Sequence, residues 1–134
     1  MKLKTRKFFS LFLITSLFFT GCAGDKGNPT ATAEAAGVIT GTASWYGKEL
    51  HGRRTASGEA FDMNKLTAAH RTLAFGTRVE VTNLSNGRRT TVTINDRGPS
   101  KKERVIDVSQ RAALELGMLN AGLAQVSLRV VGAP

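Results

Sequence analysis

Cysteine is almost missing from this chain of 134 residues, and Cys22 is its single example. An intramolecular disulfide is therefore excluded, and an exported domain would have to fold on its hydrophobic core alone. The two histidines lie 19 positions apart with no second thiol nearby, which is not a metal-ligand spacing. We therefore expect neither a metal site nor a cofactor. No apolar run reaches the roughly 20 residues that an ordinary membrane-spanning helix needs.

Acidic residues are also scarce, because 10 Asp and Glu stand against 19 Lys and Arg, for a formal net charge of +9. Four of these charges belong to the opening "MKLKTRK", so the remainder of the chain carries about +5. An excess of this size is typical of a solvated surface, and it also suits an acidic polymer such as cell-wall glycan. The export signal described next argues against nucleic acid as a partner.

The first 37 residues have the layout of a secretory signal followed by a tether. "MKLKTRK" is basic, "FFSLFLITSLFF" is a 12-residue apolar run, and "TGC" closes the segment with small residues. We assign residues 1–21 to a signal peptide; an uncleaved membrane anchor is the alternative, for which the apolar run is short. Residues 22–37 contain almost no bulky side chains, so nothing there offsets the entropy of ordering them, and we expect a flexible tether.

The sequence around the cysteine, "FFTGC", resembles the lipobox of bacterial lipoproteins, in which the thiol is diacylated and the cysteine becomes the first mature residue. The resemblance implies that a lipidated Cys22 anchors the protein in a membrane, because each buried methylene contributes about 0.8 kcal/mol. Ala23 replaces the aspartate that often retains such proteins at the inner membrane. We therefore expect the periplasmic face of the outer membrane; a leftover thiol beside a cleavage site is the alternative.

Residues 38–132 carry the signals of one small β domain. We expect strands in "VITGTASWYG", "TRVEVTNL", "GRRTTVTIND", "RVIDVS" and "AQVSLRVV". Asn86-Gly87 between two alternating segments predicts a hairpin, and "SQRAALELG" predicts a helix with Ser109 as its N-cap and Gly117 as its stop. Small all-β domains avoid exposed edges by closing on themselves, so we expect a compact, mainly-β barrel with a short helix.

The stretch "TVTINDRGP", residues 91–99, ends an alternating strand on an acid. Regular alternation would place Asp96 on the same face as Val92 and Ile94, at the end of an apolar row. A carboxyl group against apolar surface favours its protonated form and could serve as a general acid. The alternative is a loop cap, in which the carboxylate accepts backbone hydrogen bonds in the turn that follows.

Most of the unusual residues fall in four stretches: "ASWYG" at 43–47, "GRRTASGEAFD" at 52–62, "LTAAHRTLAFGT" at 66–77, and "NDRGP" followed by "RVIDVS". Together these motifs resemble the rare lipoprotein A family over residues 41–131. The resemblance implies a six-stranded double-psi β-barrel with one or two short helices, related to the barrels of expansins and of some endoglucanases.

The resemblance also implies an activity. Some members of the family act as endolytic lytic transglycosylases, which cleave peptidoglycan glycan strands between N-acetylmuramic acid and N-acetylglucosamine and leave 1,6-anhydromuramic ends. They prefer strands that lack stem peptides. Other members bind without measurable cleavage, so a non-catalytic lipoprotein that binds cell-wall glycan or an envelope partner is the alternative.

The catalytic residues implied by the resemblance are Glu59 in "SGEAFD", His70 in "TAAHRT" and Asp96 in "NDRGP". A lytic transglycosylase needs one carboxylic acid, which protonates the glycosidic oxygen and then helps the muramic 6-hydroxyl attack the anomeric carbon. Two carboxylates facing one cleft would favour the protonated form of one of them. Without the resemblance, Glu59 is interpreted as a solvated loop residue, and His70 is equally well a core histidine or a residue that orients the acid or bonds substrate.

Four further residues are candidates for substrate binding. Trp45 and Tyr46 could give sugar rings a flat aromatic surface, although core packing is an equal interpretation for Trp45. Arg97 could pair with the acid or with substrate, or could be a plain surface charge. Asp107 in "RVIDVS" lies where the related barrels carry a functional aspartate, and its alternative is a carboxylate that helps to start the following helix.

The chain ends at Pro134, just after the predicted barrel, whereas fuller members of the family carry a C-terminal peptidoglycan-binding domain. We therefore expect a barrel without that domain, which acts as a monomer on peptidoglycan glycan strands.

Overall fold

The computed structural model describes residues 37–134. The expectations for the signal peptide, for the lipidation of Cys22 and for the tether up to residue 36 lie outside the described residues. In chain order the elements are β1 (Val38–Tyr46), a 3₁₀ turn (Lys48–Leu50), β2 (Thr67–Ala69), β3 (Arg78–Asn83), β4 (Arg89–Asp96), β5 (Arg104–Ser109), α1 (Gln110–Glu115) and β6 (Leu123–Gly132). Within residues 37–134, no helix has the length and apolar character needed to cross a bilayer.

The six strands close into a barrel in the order β1, β5, β2, β4, β3, β6. Strand β1 pairs with β5 in parallel and β2 pairs with β4 in parallel, while the other pairings are antiparallel. Parallel partners cannot be joined by a tight turn, so the chain makes a longer crossover between each of these pairs. The closed barrel confirms the expected mainly-β, six-stranded architecture.

The β3–β4 hairpin supplies much of the barrel interior, because alternate side chains along each strand face inward. The fully buried side chains of this hairpin are Val79, Val81, Val92 and Ile94. The turn follows the expectation for Asn86-Gly87: Gly87 has a φ of 74° and its N–H donates to Asn83 O at 2.8 Å.

Helix α1 packs against β1, β4 and β5. Ser109 caps its N-terminus as predicted, because Ser109 Oγ accepts the Ala112 N–H at 3.3 Å. Its apolar face is fully buried through Ala112, Ala113 and the following Leu116. Gly117 has a φ of 67°, which glycine adopts without steric cost, and it ends the helix as predicted.

Strand β2 was not predicted from the sequence. Its three residues lie in "LTAAHRTLAFGT", where small side chains do not give a strand pattern. The strand fits between β4 and β5, and Ala68 and Ala69 are buried there with 0% and 4% exposure. Small side chains allow these neighbouring strands to pack closely. This requirement comes from the tertiary structure, so the local sequence pattern does not reveal it.

The pairing of β2 with β4 corrects the expected alternation at the end of β4. Ala68 lies opposite Ile94 and Ala69 lies opposite Asp96, so Asn95 is an extra residue in the register. Asn95 is consequently buried, and Asp96 is partly exposed. The prediction that Asp96 prolongs the apolar row was wrong, because the bulge moves its side chain out of the interior and to the mouth of the barrel.

Candidate active site

A cleft of about 450 Å³ opens at one mouth of the barrel, where β1, β2 and β4 end. The residues that line it are Tyr46, Leu50, Ala69, Arg71, Asp96, Arg97, Gly98, Pro99, Ser100 and Asp107. A second pocket of about 210 Å³ shares Tyr46, Leu50 and Asp96 with it and takes its other residues from the loop between β1 and β2. Asp96 and Tyr46 therefore lie where the two pockets meet.

The Asp96 carboxylate is anchored through one of its two oxygens. Asp96 Oδ1 accepts the N–H of Ala56 at 2.9 Å and the N–H of Arg97 at 2.8 Å. Its Oδ2 accepts no hydrogen bond from any residue in the range 37–134. The contacts of the predicted loop cap are thus present on one oxygen, while the other oxygen is free at the junction of the two pockets.

Asp107 faces the same cleft from β5. Ser44, its partner in the parallel β1–β5 pair, donates to Asp107 Oδ1 at 2.7 Å, and Arg104 Nη2 donates to Oδ2 at 3.1 Å. The alternative in which this carboxylate helps to start the helix was wrong, because both oxygens are engaged within the strands. The carboxylate that shares the cleft with Asp96 is therefore Asp107.

Tyr46 and Trp45 lie on opposite sides of β1, as neighbours on a strand do. Tyr46 is 9% exposed, lines both pockets, and packs on Phe61 with ring centroids 4.6 Å apart. Burial, followed by the charges of Asp96 and Asp107, raises the pKa of its hydroxyl. Trp45 packs against the main hydrophobic core and lines neither pocket, so the two rings do not form one aromatic surface.

Arg97 is held in place by the segment that follows β2. Its guanidinium lies 3.9 Å from the centroid of the Phe75 ring, and Nη1 donates to His70 O at 3.1 Å and to Leu73 O at 2.8 Å. Among the described residues its side chain forms no ion pair with Asp96, and only its main-chain N–H bonds that carboxylate. Arg97 thus presents a fixed positive charge to the cleft.

His70 is buried and lines neither pocket. Its Nδ1 accepts the N–H groups of Thr72 at 3.2 Å and Leu73 at 3.1 Å, so the proton of the neutral ring belongs on Nε2. Burial, followed by the charges of Arg71 and Arg97, lowers the pKa of His70. The imidazole is therefore neutral near physiological pH and shapes the turn that holds Arg97.

Glu59 is exposed and lines neither pocket. Its Oε2 accepts Asn95 Nδ2 at 3.3 Å, and the Ser57 N–H donates to Asn95 O at 3.2 Å. The bulge residue thus ties the loop that carries Glu59 to the strand that carries Asp96. The arrangement in which both carboxylates face one cleft is not seen, and the connection between them runs through Asn95.

Sequence reasoning missed three residues that shape the site. Arg71 Nε donates to Pro99 O at 3.0 Å, which fastens the loop after β4 beside the cleft. Arg71 directly follows His70 in "LTAAHRTLAFGT", and this position could have marked it as a candidate site residue. Ser44 within "ASWYG" and Asn95 within "NDRGP" also lie in family-like stretches, but the burial of Asn95 depends on the pairing of β2 with β4, which has no local signal. Within residues 37–134, no three His, Cys, Asp or Glu side chains are grouped in a way that could hold a metal ion.

Comparisons with known proteins find sequences similar to this chain. A family model described as "Lytic transglycolase" matches residues 38–128. A relative from Treponema pallidum, "Probable endolytic peptidoglycan transglycosylase RlpA", is 62% identical over 91 residues, which cover 68% of this chain and 29% of the relative. "Endolytic peptidoglycan transglycosylase RlpA" from Campylobacter jejuni is 50% identical over 92 residues, covering 69% of this chain and 34% of the relative.

Solved structures show the same double-psi architecture. The barrel aligns with an expansin from Clavibacter michiganensis at a TM-score of 0.58 and 25% identity, over 72% of this chain and 52% of the expansin chain. The present chain spans about a third of the length of the curated relatives it matches. The match to the family model, residues 38–128, runs from the start of β1 into β6.

Proposed function

The chain belongs to the lytic transglycolase family, and from that premise we propose that its barrel is an endolytic peptidoglycan transglycosylase. It would cut the glycan strand between N-acetylmuramic acid and N-acetylglucosamine and leave 1,6-anhydromuramic ends. The observation that carries the proposal is the Asp96 carboxyl group, which has one oxygen fixed by two N–H groups and one oxygen free where two pockets meet.

In the first step Asp96 acts as a general acid. The O–H bond at its Oδ2 breaks, the proton passes to the glycosidic oxygen, and the bond between that oxygen and the anomeric carbon of muramic acid breaks. A glycan strand lying across the cleft excludes water from this step. After it, the N–H groups of Ala56 and Arg97 stabilise the charge on the carboxylate.

In the second step the same carboxylate acts as a base. It takes the proton of the muramic 6-hydroxyl while that oxygen attacks the anomeric carbon, which closes the 1,6-anhydro ring and restores the Asp96 carboxylic acid. No water enters, so the scheme needs no second catalytic carboxylate, unlike the two-carboxylate hydrolysis of ordinary glycosidases. This fits a site in which Asp107 is already bonded to Ser44 and Arg104.

Glu59 and His70 support the acid in this scheme. Glu59 acts through Asn95, the residue before Asp96, and His70 shapes the turn whose carbonyl oxygens hold Arg97. Arg71 and Arg97 give the cleft positive charge on the side of the loop after β4. A muramic acid that lacks its stem peptide carries a free carboxylate, so these charges support a preference for such strands.

The sequence supports a location for this activity. The signal-like residues 1–21 and the lipobox-like "FFTGC" suggest export and anchoring through acyl chains on Cys22. We place the barrel at the periplasmic face of the outer membrane as a monomer, joined to its anchor by a tether of about 15 residues. Replacing Cys22 with alanine should release the protein from the membrane fraction.

The proposal is tested by incubating purified sacculi, intact and stripped of stem peptides, with the domain from residue 38 onward. Mass spectrometry of the soluble fraction should show new anhydromuramic ends, with more product from the stripped material. The absence of new ends from a folded domain that still sediments with the wall would instead favour the non-catalytic, glycan-binding alternative. Reducing ends in place of anhydro ends would indicate a hydrolase.

A further inference from the structure

The hydroxyl group of Tyr46 is a buried polar group at the cleft. Its oxygen is buried and has no hydrogen-bond partner within residues 37–134. A buried donor without a partner destabilises a fold, whereas phenylalanine would pack the same ring on Phe61 at no such cost. The hydroxyl therefore fits an interaction that the resting barrel does not make.

The candidate acceptors are the two carboxylates whose charges act on Tyr46. Both oxygens of Asp107 are engaged, by Ser44 and by Arg104. On Asp96, Oδ1 already accepts two N–H groups, and Oδ2 has no hydrogen-bond donor among the residues that the structure describes. Of the two carboxylates, Asp96 Oδ2 is thus the acceptor that remains, and it is also the oxygen that would exchange protons in the proposed reaction.

Resting on the proposed function, we infer that Tyr46 is a positioning residue that donates a hydrogen bond to Asp96 Oδ2 during the reaction. Once Asp96 has given its proton to the glycosidic oxygen, the phenol O–H of Tyr46 donates a hydrogen bond to the newly charged Oδ2 and holds the carboxylate in place. The bond lengthens again when Oδ2 takes the proton of the muramic 6-hydroxyl. The phenol keeps its own proton throughout, because burial and two nearby carboxylates raise the pKa of Tyr46.

The residues around the phenol limit which other groups could accept its hydrogen bond. The charged residues that line the two pockets around Tyr46 are Asp96, Asp107, Arg53, Arg54, Arg71 and Arg97. The four arginines offer only donors, so they cannot accept from the phenol. The ring shares a small apolar cluster with Phe61 and Ala69, and Leu50 and Met63 pack against that cluster.

The first test needs no enzymatic activity, because Tyr46 is the only tyrosine of the whole chain. Ultraviolet titration of tyrosinate in the full-length protein therefore reports this residue alone. Asp96→Asn should lower the pKa of Tyr46 by more than Asp107→Asn does. Ser127→Ala is the control, because it removes a hydroxyl from β6, a strand that does not line the cleft, and it should leave the pKa of Tyr46 unchanged. A Tyr46 pKa that is the same in Asp96→Asn and in the wild type would overturn the inference.

The second test uses Tyr46→Phe, which removes only the hydroxyl. Since hydrogen bonds to charged groups are the stronger kind, we expect kcat to fall about ten- to a hundredfold with little change in KM. The alkaline limb of the pH–rate profile should move to higher pH, because the charged carboxylate has lost a donor and the acid keeps its proton longer. The thermal midpoint should not fall. A variant with the wild-type profile and wild-type kcat would contradict the inference.

The two tests separate this inference from the proposed function. If the wild-type protein produced no anhydromuramic ends, the transglycosylase proposal would fail, and the tyrosinate titration would still decide whether Tyr46 and Asp96 are coupled. If the ends appear but Tyr46→Phe has a wild-type profile, the proposed function stands and the inference about Tyr46 fails.

Discussion

Asp107→Asn should destabilise the barrel strongly, because Asp107 joins two strands that are far apart in sequence. Its Oδ1 accepts from Ser44 on β1 at 2.7 Å, and its Oδ2 accepts from Arg104 on β5 at 3.1 Å. The side chains of the Arg104–Asp107 pair are only 21% and 15% exposed, so water screens the pair weakly. Within residues 37–134, Arg104 Nε is itself buried without a partner, so the loss of Asp107 would leave this guanidinium poorly compensated.

The expected loss follows from these contacts. Hydrogen bonds to a charged group contribute about 1.5–3 kcal/mol each, and removing one partner of a well-buried ion pair costs about 3–5 kcal/mol. The asparagine side chain keeps one acceptor, and the pair is not fully buried, so we expect a loss of roughly 2–4 kcal/mol in the free energy of unfolding. For a domain of this size, that loss lowers Tm by roughly 10–25 °C.

The assay is thermal unfolding followed by circular dichroism, with a double-mutant cycle on Arg104→Met. The double variant should lose less stability than the sum of the two single variants, since the unpaired charge disappears with Arg104. Asp62→Asn is the matched control, because Asp62 lies 3.9 Å from His51 in an exposed pair and its loss should change Tm very little. A Tm for Asp107→Asn as high as that of Asp62→Asn would refute this reasoning and leave Asp107 free for a direct role in the cleft.

Three further predictions concern single residues. Acidification from about pH 7 to pH 5 should lower Tm, because the pKa of His70 is lowered in the folded state and the unfolded state therefore binds the proton first. His70→Asn should flatten this pH dependence of Tm, and an unchanged slope would contradict the prediction. In denaturant titration, Gly117→Ala should lower the free energy of unfolding more than Gly87→Ala does. Both glycines have positive φ, but of the two only Gly117 would place a Cβ close to other atoms, with Asn86 Nδ2 at 2.9 Å and Arg88 Nη1 at 3.0 Å, so equal losses would be inconsistent with this packing. Glu59→Gln should slow turnover yet retain some of it, since the amide oxygen can still accept from Asn95, and a wild-type rate would remove Glu59 from the site.

Local chemistry explains which parts of the fold could be predicted from the sequence. The alternation in β3 and β4, the Asn86-Gly87 turn and the Ser109 cap each depend on residues close together in the chain, so each leaves a local signal. The three-residue strand β2 left none, because its small side chains are required by the strands on either side of it. Family resemblance, rather than periodicity, indicated the double-psi topology.

The site was predicted less completely for the same physical reason. Asp96 was among the predicted candidates, but its environment was not predicted, because the register shift opposite β2 places Asn95 in the interior instead. The contact between Ser44 and Asp107 joins residues 63 positions apart and follows only from the parallel pairing of β1 with β5. Side-chain contacts that depend on strand register remain out of reach of a single sequence until the pairing is known.

The measurement that most directly tests the central claim is mass spectrometry of glycan digested in heavy-oxygen water, with the wild-type barrel and with Asp96→Asn. Because the muramic 6-hydroxyl is the proposed nucleophile, wild-type products should be anhydromuramic ends that contain no heavy oxygen. Folded Asp96→Asn should give no such ends. Heavy oxygen at new reducing ends, or anhydromuramic ends formed by Asp96→Asn at the wild-type rate, would contradict the claim that Asp96 carries the proton for an intramolecular transfer.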